Sequence, residues 1–191
     1  MNPTAALTPS SSVFRSPARL KLTWLSRLIR AITLVYVVWA VIRTFQWWIN
    51  GPAVIKNYGA YLVRDLSALA SDQRMLALAV DGVGLVLLAV AVVYGWKALG
   101  VLGHQHAFTQ KAAQFLAWCA WITVACESWS LLTRPVKTHI LTSHLPAADQ
   151  LATWSFNPED LLVVLLCAVL VCFAYMMGWA AEVADENKEF I

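Results

Sequence analysis

Four apolar stretches, Leu28–Ile49, Met75–Leu99, Ala112–Thr133 and Leu161–Ala181, alternate with polar, turn-rich segments and dictate what this chain can become. Each holds 21 to 25 residues. At about 1.5 Å of rise per residue, such a helix crosses a hydrocarbon layer of about 30 Å. A backbone immersed in lipid has to satisfy its own polar groups, which a helix does within the segment. The expected fold is therefore all-α: a polytopic membrane protein with four transmembrane helices in an antiparallel bundle. Composition agrees, since 60% of residues are hydrophobic and 13% charged, against roughly 25% charged in soluble domains. A length of 191 residues leaves room for one bundle and no separate soluble domain. The net charge of +3 is spread along the chain without a recognition motif, so nucleic acid is not an expected partner; the lipid bilayer is.

A cleaved leader would carry a short apolar run ending in small residues. Here 27 residues precede the first stretch, and its end, Phe45-Gln46-Trp47-Trp48-Ile49-Asn50, is bulky and aromatic, so it reads as an uncleaved anchor. Residues 1–19 are expected to form a disordered cytoplasmic tail, rich in Pro, Ser and Thr. Residues 20–191 form the single transmembrane domain, with 182–191 as an acidic cytoplasmic tail. Leu20, Leu22, Trp24, Leu25 and Leu28 interleave with Arg19, Lys21 and Arg27, which predicts a lead-in helix at the lipid headgroups.

Four crossings place both termini on one side. That side holds Arg15, Arg19, Lys21, Arg27, Arg30, Lys97, Lys111 and Lys188, and the opposite loops hold Lys56, Arg64, Arg74, Arg134 and Lys137. Eight against five favours cytoplasmic N- and C-termini. Trp24, Trp96 and Trp179 then mark the inner interface, and Trp47, Trp48, Trp129 and Trp154 the outer one. Trp39, Trp118 and Trp121 lie deeper and read as packing residues.

Asn157 is placed to cap the fourth span, with Pro158 first in the helix, Glu159 and Asp160 facing the positive end of its dipole, and Phe156 with Leu161 set for a hydrophobic staple. Thr109 caps the third. In the first outer loop, Gly51 to Arg74, the residues Val54, Ile55, Tyr58, Tyr61, Leu62, Leu66 and Leu69 recur near helical spacing and predict a short amphipathic helix resting on the bundle or the membrane. The second outer loop, Arg134 to Pro158, shows weaker periodicity.

Three ionisable residues fall inside the spans: Arg43, Asp81 and Glu127, each six residues from the chosen outer boundary. At helical rise all three lie about 9 Å deep and are positioned to meet. Charge near the bilayer centre costs about 2.5 to 3.5 kcal/mol on insertion scales, so such groups face the bundle and pair. One guanidinium accepting a carboxylate on each side would tie three spans together. Structural glue is one reading, helped by the reach of the Arg43 stem to the interface. A proton or ion relay is the other, because two acids share one base.

Cofactor chemistry finds no foothold. Cys119 and Cys126 are seven apart and Cys167 and Cys172 five apart, neither being Cys-x-x-Cys, so they read as small packing residues. His104, His106, His139 and His144 fall in expected loops rather than where axial haem ligands would be needed. No phosphate loop, metalloprotease motif or nucleophile elbow occurs, so neither a catalytic nor a metal site is assigned. Gly82 and Gly84 beside Asp81 are expected to permit close helix contact.

The turn His106-Ala107-Phe108-Thr109-Gln110-Lys111-Ala112-Ala113, the entry Phe156 to Leu162, and the ending from Gly178 to Ile191 together resemble a family of small bacterial four-span membrane proteins catalogued only as a domain of unknown function. That family has a Pro-Phe-Ser/Thr turn before span three, a Phe-Ser-Pro cap before span four and a terminal Glu-Glu-Asn. This chain departs from it with His-Ala in place of the turn proline and Asp185 in place of the first tail glutamate. The resemblance implies an inner-membrane location and four helices, and association of some members with small helix-turn-helix regulators. Glu182, Asp185, Glu186 and Glu189 recur at three- and four-residue spacing, giving an acidic helix face that is either a solvated end or a docking surface for a basic cytoplasmic regulatory protein. The expected function is a non-enzymatic accessory or regulatory component of the inner membrane. The alternative is a proton-coupled or small-solute transporter or channel acting as a homo-oligomer.

Overall fold

A computed structural model describes residues 17–104 and 109–189, with side chains placed for 24–102, 109–184 and 186. The described residues form five helices: α1 (Pro17–Ile49), α2 (Gly51–Leu62), α3 (Ser71–His104), α4 (Gln110–Thr142) and α5 (Pro158–Glu189). Four carry stretches long and apolar enough to cross a membrane: Trp24–Ile49, Ser71–Leu102, Gln110–Thr142 and Pro158–Ala184. The chain is an all-α, multi-pass membrane protein with antiparallel spans. Its helices exceed the expected spans, α3 alone holding 34 residues. At about 50 Å such a helix projects beyond the hydrocarbon or tilts within it.

α1 runs unbroken from Pro17, so residues 20–27 are the first turns of the spanning helix and not a separate lead-in element. No Gly or Pro interrupts it after its first residue. Of the expected disordered tail, residues 1–16 lie outside the described residues, and 17–19 are already helical. The turn at 105–108 also lies outside them.

The helices pack as a row: α1 on α3, α3 on α4 and α4 on α5, with no comparable packing of α1 on α5 among the described residues. The seams are lined by small side chains, with Ala91, Ala98, Ala112, Ala113, Ala120, Ala174 and Ala181 all buried. Small residues let backbones approach where lipid removes the hydrophobic incentive to associate. A Cβ on Gly95 would stand 3.4 Å from Cys119 Sγ, and one on Gly84 3.6 Å from Trp129 Cδ1, so these two glycines sit at close contacts. Gly82 does not: nothing lies within 4 Å of where its Cβ would be. Large apolar side chains point outward instead, including Val35, Val86, Leu165 and Val169. Trp39, Trp118 and Trp121 join them, more than half exposed to the lipid face rather than packed inside.

Polar latches fix α1 on α3 at two heights. Toward the chain termini, Arg30 donates to the Trp96 carbonyl at 2.8 Å while Trp96 Nε1 donates to Thr33 Oγ1 at 2.8 Å. At the opposite end, Trp48 Nε1 donates to Asp81 Oδ2 at 2.8 Å. Trp48 is thus buried, 1% exposed, and not the interfacial anchor its position near the span end suggests.

That opposite end carries the densest core. The amphipathic helix expected in the first outer loop is α2, capped by the Asn50 side chain, which accepts from the Ala53 N–H. It stops at Val63, whose left-handed backbone (φ 51°) turns the chain so that Leu66 and Leu69 fold under it. Trp48, Val54, Leu62, Leu66, Leu69, Ala77 and Leu141 form one cluster.

α4 extends nine residues past the expected boundary at Thr133, through Pro135 to Thr142. A proline gives up one helical N–H and usually ends or kinks a helix. Here the chain continues, and Thr133, Thr138 and Thr142 each return a hydroxyl hydrogen bond to a preceding carbonyl of the same helix. The same hydroxyls hold the next segment: Thr142 Oγ1 accepts from the Leu151 N–H at 3.0 Å and Thr138 Oγ1 from the Thr153 N–H at 3.1 Å. The loop therefore lies back along α4. α5 starts as expected at Pro158, but Asp160 does the capping, accepting from the Asn157 N–H at 2.7 Å, while the Asn157 side chain expected to cap makes no hydrogen bond among the described residues. Phe156 and Leu161, expected as a staple, are both exposed.

Candidate functional site

The residues Arg43, Asp81 and Glu127 do not form the clamp their equal depths suggested. Asp81 takes its cation from α4: Lys137 Nζ donates to Asp81 Oδ1 at 2.8 Å. With Trp48 on its other oxygen, Asp81 ties α1, α3 and α4 together, so the three helices are joined but by different partners. Arg43 is exposed and makes no hydrogen bond or ion pair among the described residues. It lines a small cavity of about 220 Å³ with Thr44, Trp47, Trp48 and Asp81.

The physical reason lies in the row of helices: α3 stands between α1 and α4, so Arg43 and Glu127 sit on helices that do not pack closely on one another among the described residues. Glu127 is fifteen residues from the end of the helix at Thr142, not six from its end at Thr133. It sits about 22 Å from that end, near the level of Gly84, whose carbonyl meets the neighbouring Cys126 Sγ. Lys137, five residues from the end, reaches the level of Asp81 instead. Glu127 is half-buried and lies within electrostatic reach of Arg134 and Asp160, with no hydrogen-bond partner among the described residues.

A second pair fastens α4 to α5. Arg134 forms a fork on Asp160, 2.6 Å to each carboxylate oxygen, and also donates to the Ser155 carbonyl at 2.6 Å. Both side chains are largely covered, 20% and 13% exposed. Planar two-point pairing of this kind fixes orientation as well as charge.

Arg134 and Lys137, three residues apart on one face of α4, open onto a cavity of about 390 Å³. Its walls also include Trp47 from α1, Asn57, Tyr58 and Tyr61 from α2, and Ser155 and Asn157 from the loop before α5. The two carboxylates that neutralise the cations, Asp81 and Asp160, are not in the wall. They stand behind it. Tyr58 is stacked on Trp48 at 5.9 Å between ring centres. Burial first, and the Asp81 charge after it, push the Tyr58 hydroxyl up to about 12, so it remains a neutral donor. The site is a donor-rich pocket at the α2 end of the bundle.

Sequence reasoning missed Arg134, Lys137 and Asp160 as partners because the third span was ended at Thr133, which assigned both cations to the second outer loop, whereas α4 continues through Pro135. The recoverable signal was Thr133, Arg134, Lys137, Thr138 and Leu141 at helical spacing across that proline. On the expected docking face, Glu182 and Glu186 are exposed on α5, which runs helical to Glu189. The side chains of Asp185 and Glu189 lie outside the described residues.

Cys119, Cys126, Cys167 and Cys172 are all free thiols, and Cys126 Sγ contacts the Gly84 carbonyl at 3.5 Å, a packing role at the α3–α4 seam. Comparison with known proteins finds no family model, no curated protein and no solved structure that matches this chain.

Proposed function

We propose that this chain is a non-enzymatic accessory or regulatory component of a bacterial inner membrane, with both termini in the cytoplasm, as in the four-span family it resembles. The observation that carries the reading is the row of helices: among the described residues, α1 and α5 do not close on one another, so a single copy encloses no passage across the bilayer. Its strongest buried charges are committed to interhelical pairs, Lys137 with Asp81 and Arg134 with Asp160, which suits a scaffold. A long α5 ending in exposed Glu182 and Glu186 supplies a handle for a basic cytoplasmic partner.

A transporter assembled from several copies is the second reading. It is favoured by one feature, the presence of Arg43 and Glu127 inside spans without hydrogen-bond partners among the described residues. Reconstitution of the full chain in liposomes separates the two. The accessory reading expects no proton or solute flux above empty vesicles, and crosslinking in native membranes that recovers a cytoplasmic protein lost when the chain is truncated after Ala181. Flux that disappears in Asp81→Asn or Glu127→Gln overturns it in favour of transport.

A further inference from the structure

The cavity between α2, α4 and the loop before α5 has a composition that neither the scaffold role nor the ion pairs require. We propose that it is a binding site for a phosphate group, presented by the headgroup of a membrane lipid or as a free anion, independently of the function argued above.

Three observations carry this. Arg134 and Lys137 face the cavity, each paired with a carboxylate that is not itself in the wall, so the wall presents two charge-balanced cationic groups and no acid. The Tyr58, Tyr61 and Ser155 hydroxyls and the Asn157 side-chain amide also line it, and none donates within the protein among the described residues. Four uncommitted neutral donors beside two paired cations exceed what a two-oxygen carboxylate accepts and suit a phosphate, whose oxygens take several donors at once. The volume, about 390 Å³, is larger than a bare anion and leaves space for the polar body of a headgroup.

Placement favours the lipid source. Ser155 is flanked by Trp154 and Phe156, 66% and 67% exposed, which form an aromatic lip where Trp and Tyr partition to the membrane–water boundary. From that lip the outward apolar face of α5, Leu161, Leu162 and Leu165, continues along the hydrocarbon and offers acyl chains a path.

The test uses the full chain in nanodiscs and native mass spectrometry. Phosphatidylglycerol should remain bound where diacylglycerol with the same chains does not. In delipidated protein held in detergent, inorganic phosphate should raise the unfolding temperature where chloride at equal ionic strength does not. Tyr58→Phe with Tyr61→Phe should weaken whichever phosphate binds, about tenfold for each donor that had engaged it. Asn57→Trp, at an exposed position on the rim, should block the cavity without disturbing the core. Selective retention of phosphatidylglycerol alone assigns the lipid source, and stabilisation by inorganic phosphate alone assigns the free anion. If neither probe exceeds its control, or if both the phenylalanine pair and Asn57→Trp bind as the parent does, the proposal is wrong.

Discussion

The α2 end of the molecule and the middle of its spans are held together by opposite means. In the spans, alanines meet along the seams and the large side chains face lipid. At the α2 end, Trp48, Leu66 and Leu141 are buried at 1%, 1% and 0% exposure, as in a water-soluble core, and two covered ion pairs sit beside them. The difference teaches where this chain meets water. Where lipid is the solvent, apolar burial contributes little and close backbone approach does the holding. Where the chain emerges, the ordinary hydrophobic effect returns and large residues turn inward.

The contrast can be broken most forcefully at Asp81. Asp81→Asn leaves Lys137 without its anion and should lower stability by about 3 kcal/mol, measured by thermal unfolding in detergent. Asp81→Asn combined with Lys137→Met should recover most of that loss, because no charge is left uncompensated and the Asn carbonyl can still accept from Trp48 Nε1. A double variant as damaged as the single one would show that the pair does more than neutralise itself.

Leu141→Ala and Leu165→Ala compare like with like across the two regions. The first empties a fully buried site in the α2-end cluster and should cost about 2 to 4 kcal/mol. The second trims a side chain that is 55% exposed to the lipid face, and should stay within about 0.5 kcal/mol. Similar losses at both positions would erase the distinction.

Thr142→Val keeps the shape of a buried side chain but removes the acceptor that holds Leu151. A loss of about 1 kcal/mol is expected, with faster hydrogen exchange at the Leu151 amide. The smallest effect belongs to Asp65 in the loop after α2. Its carboxyl is held below the usual range, chiefly by the Ser67 backbone N–H, which donates to Asp65 Oδ1 at 2.9 Å. A depressed acid stabilises the fold above its unfolded pKa, near 3.9, and that contribution fades as the pH falls through its folded value. Acid titration followed at the Ser67 amide should show the transition below that of a model Asp.

The spans were legible in the sequence because four long apolar stretches admit almost one solution in a bilayer. α2 was also legible, through the spacing of Val54, Tyr58, Tyr61 and Leu62, and so was the cap at Thr109, whereas at the start of α5 it is Asp160 and not the Asn157 side chain that caps. The site was not. Its geometry depends on α4 passing through Pro135, a residue whose local preference argues for a stop. Once the helix continues, Lys137 displaces Arg43 as the partner of Asp81, and Arg134 acquires Asp160. A shift of one helix end by nine residues thus exchanged the members of the polar cluster while leaving the count and order of the helices intact.

The two latches on α1 have a mechanical consequence. Thr33 and Trp48 are fifteen residues apart, so the hydrogen bonds they make grip the helix at points separated by about 22 Å. One grip alone would let the helix pivot or creep along its neighbour. Two distant ones fix azimuth and height together, and any slip of a full turn unseats both at once. The first span should therefore stay in register or detach as a unit, with no half-slipped intermediate of comparable energy.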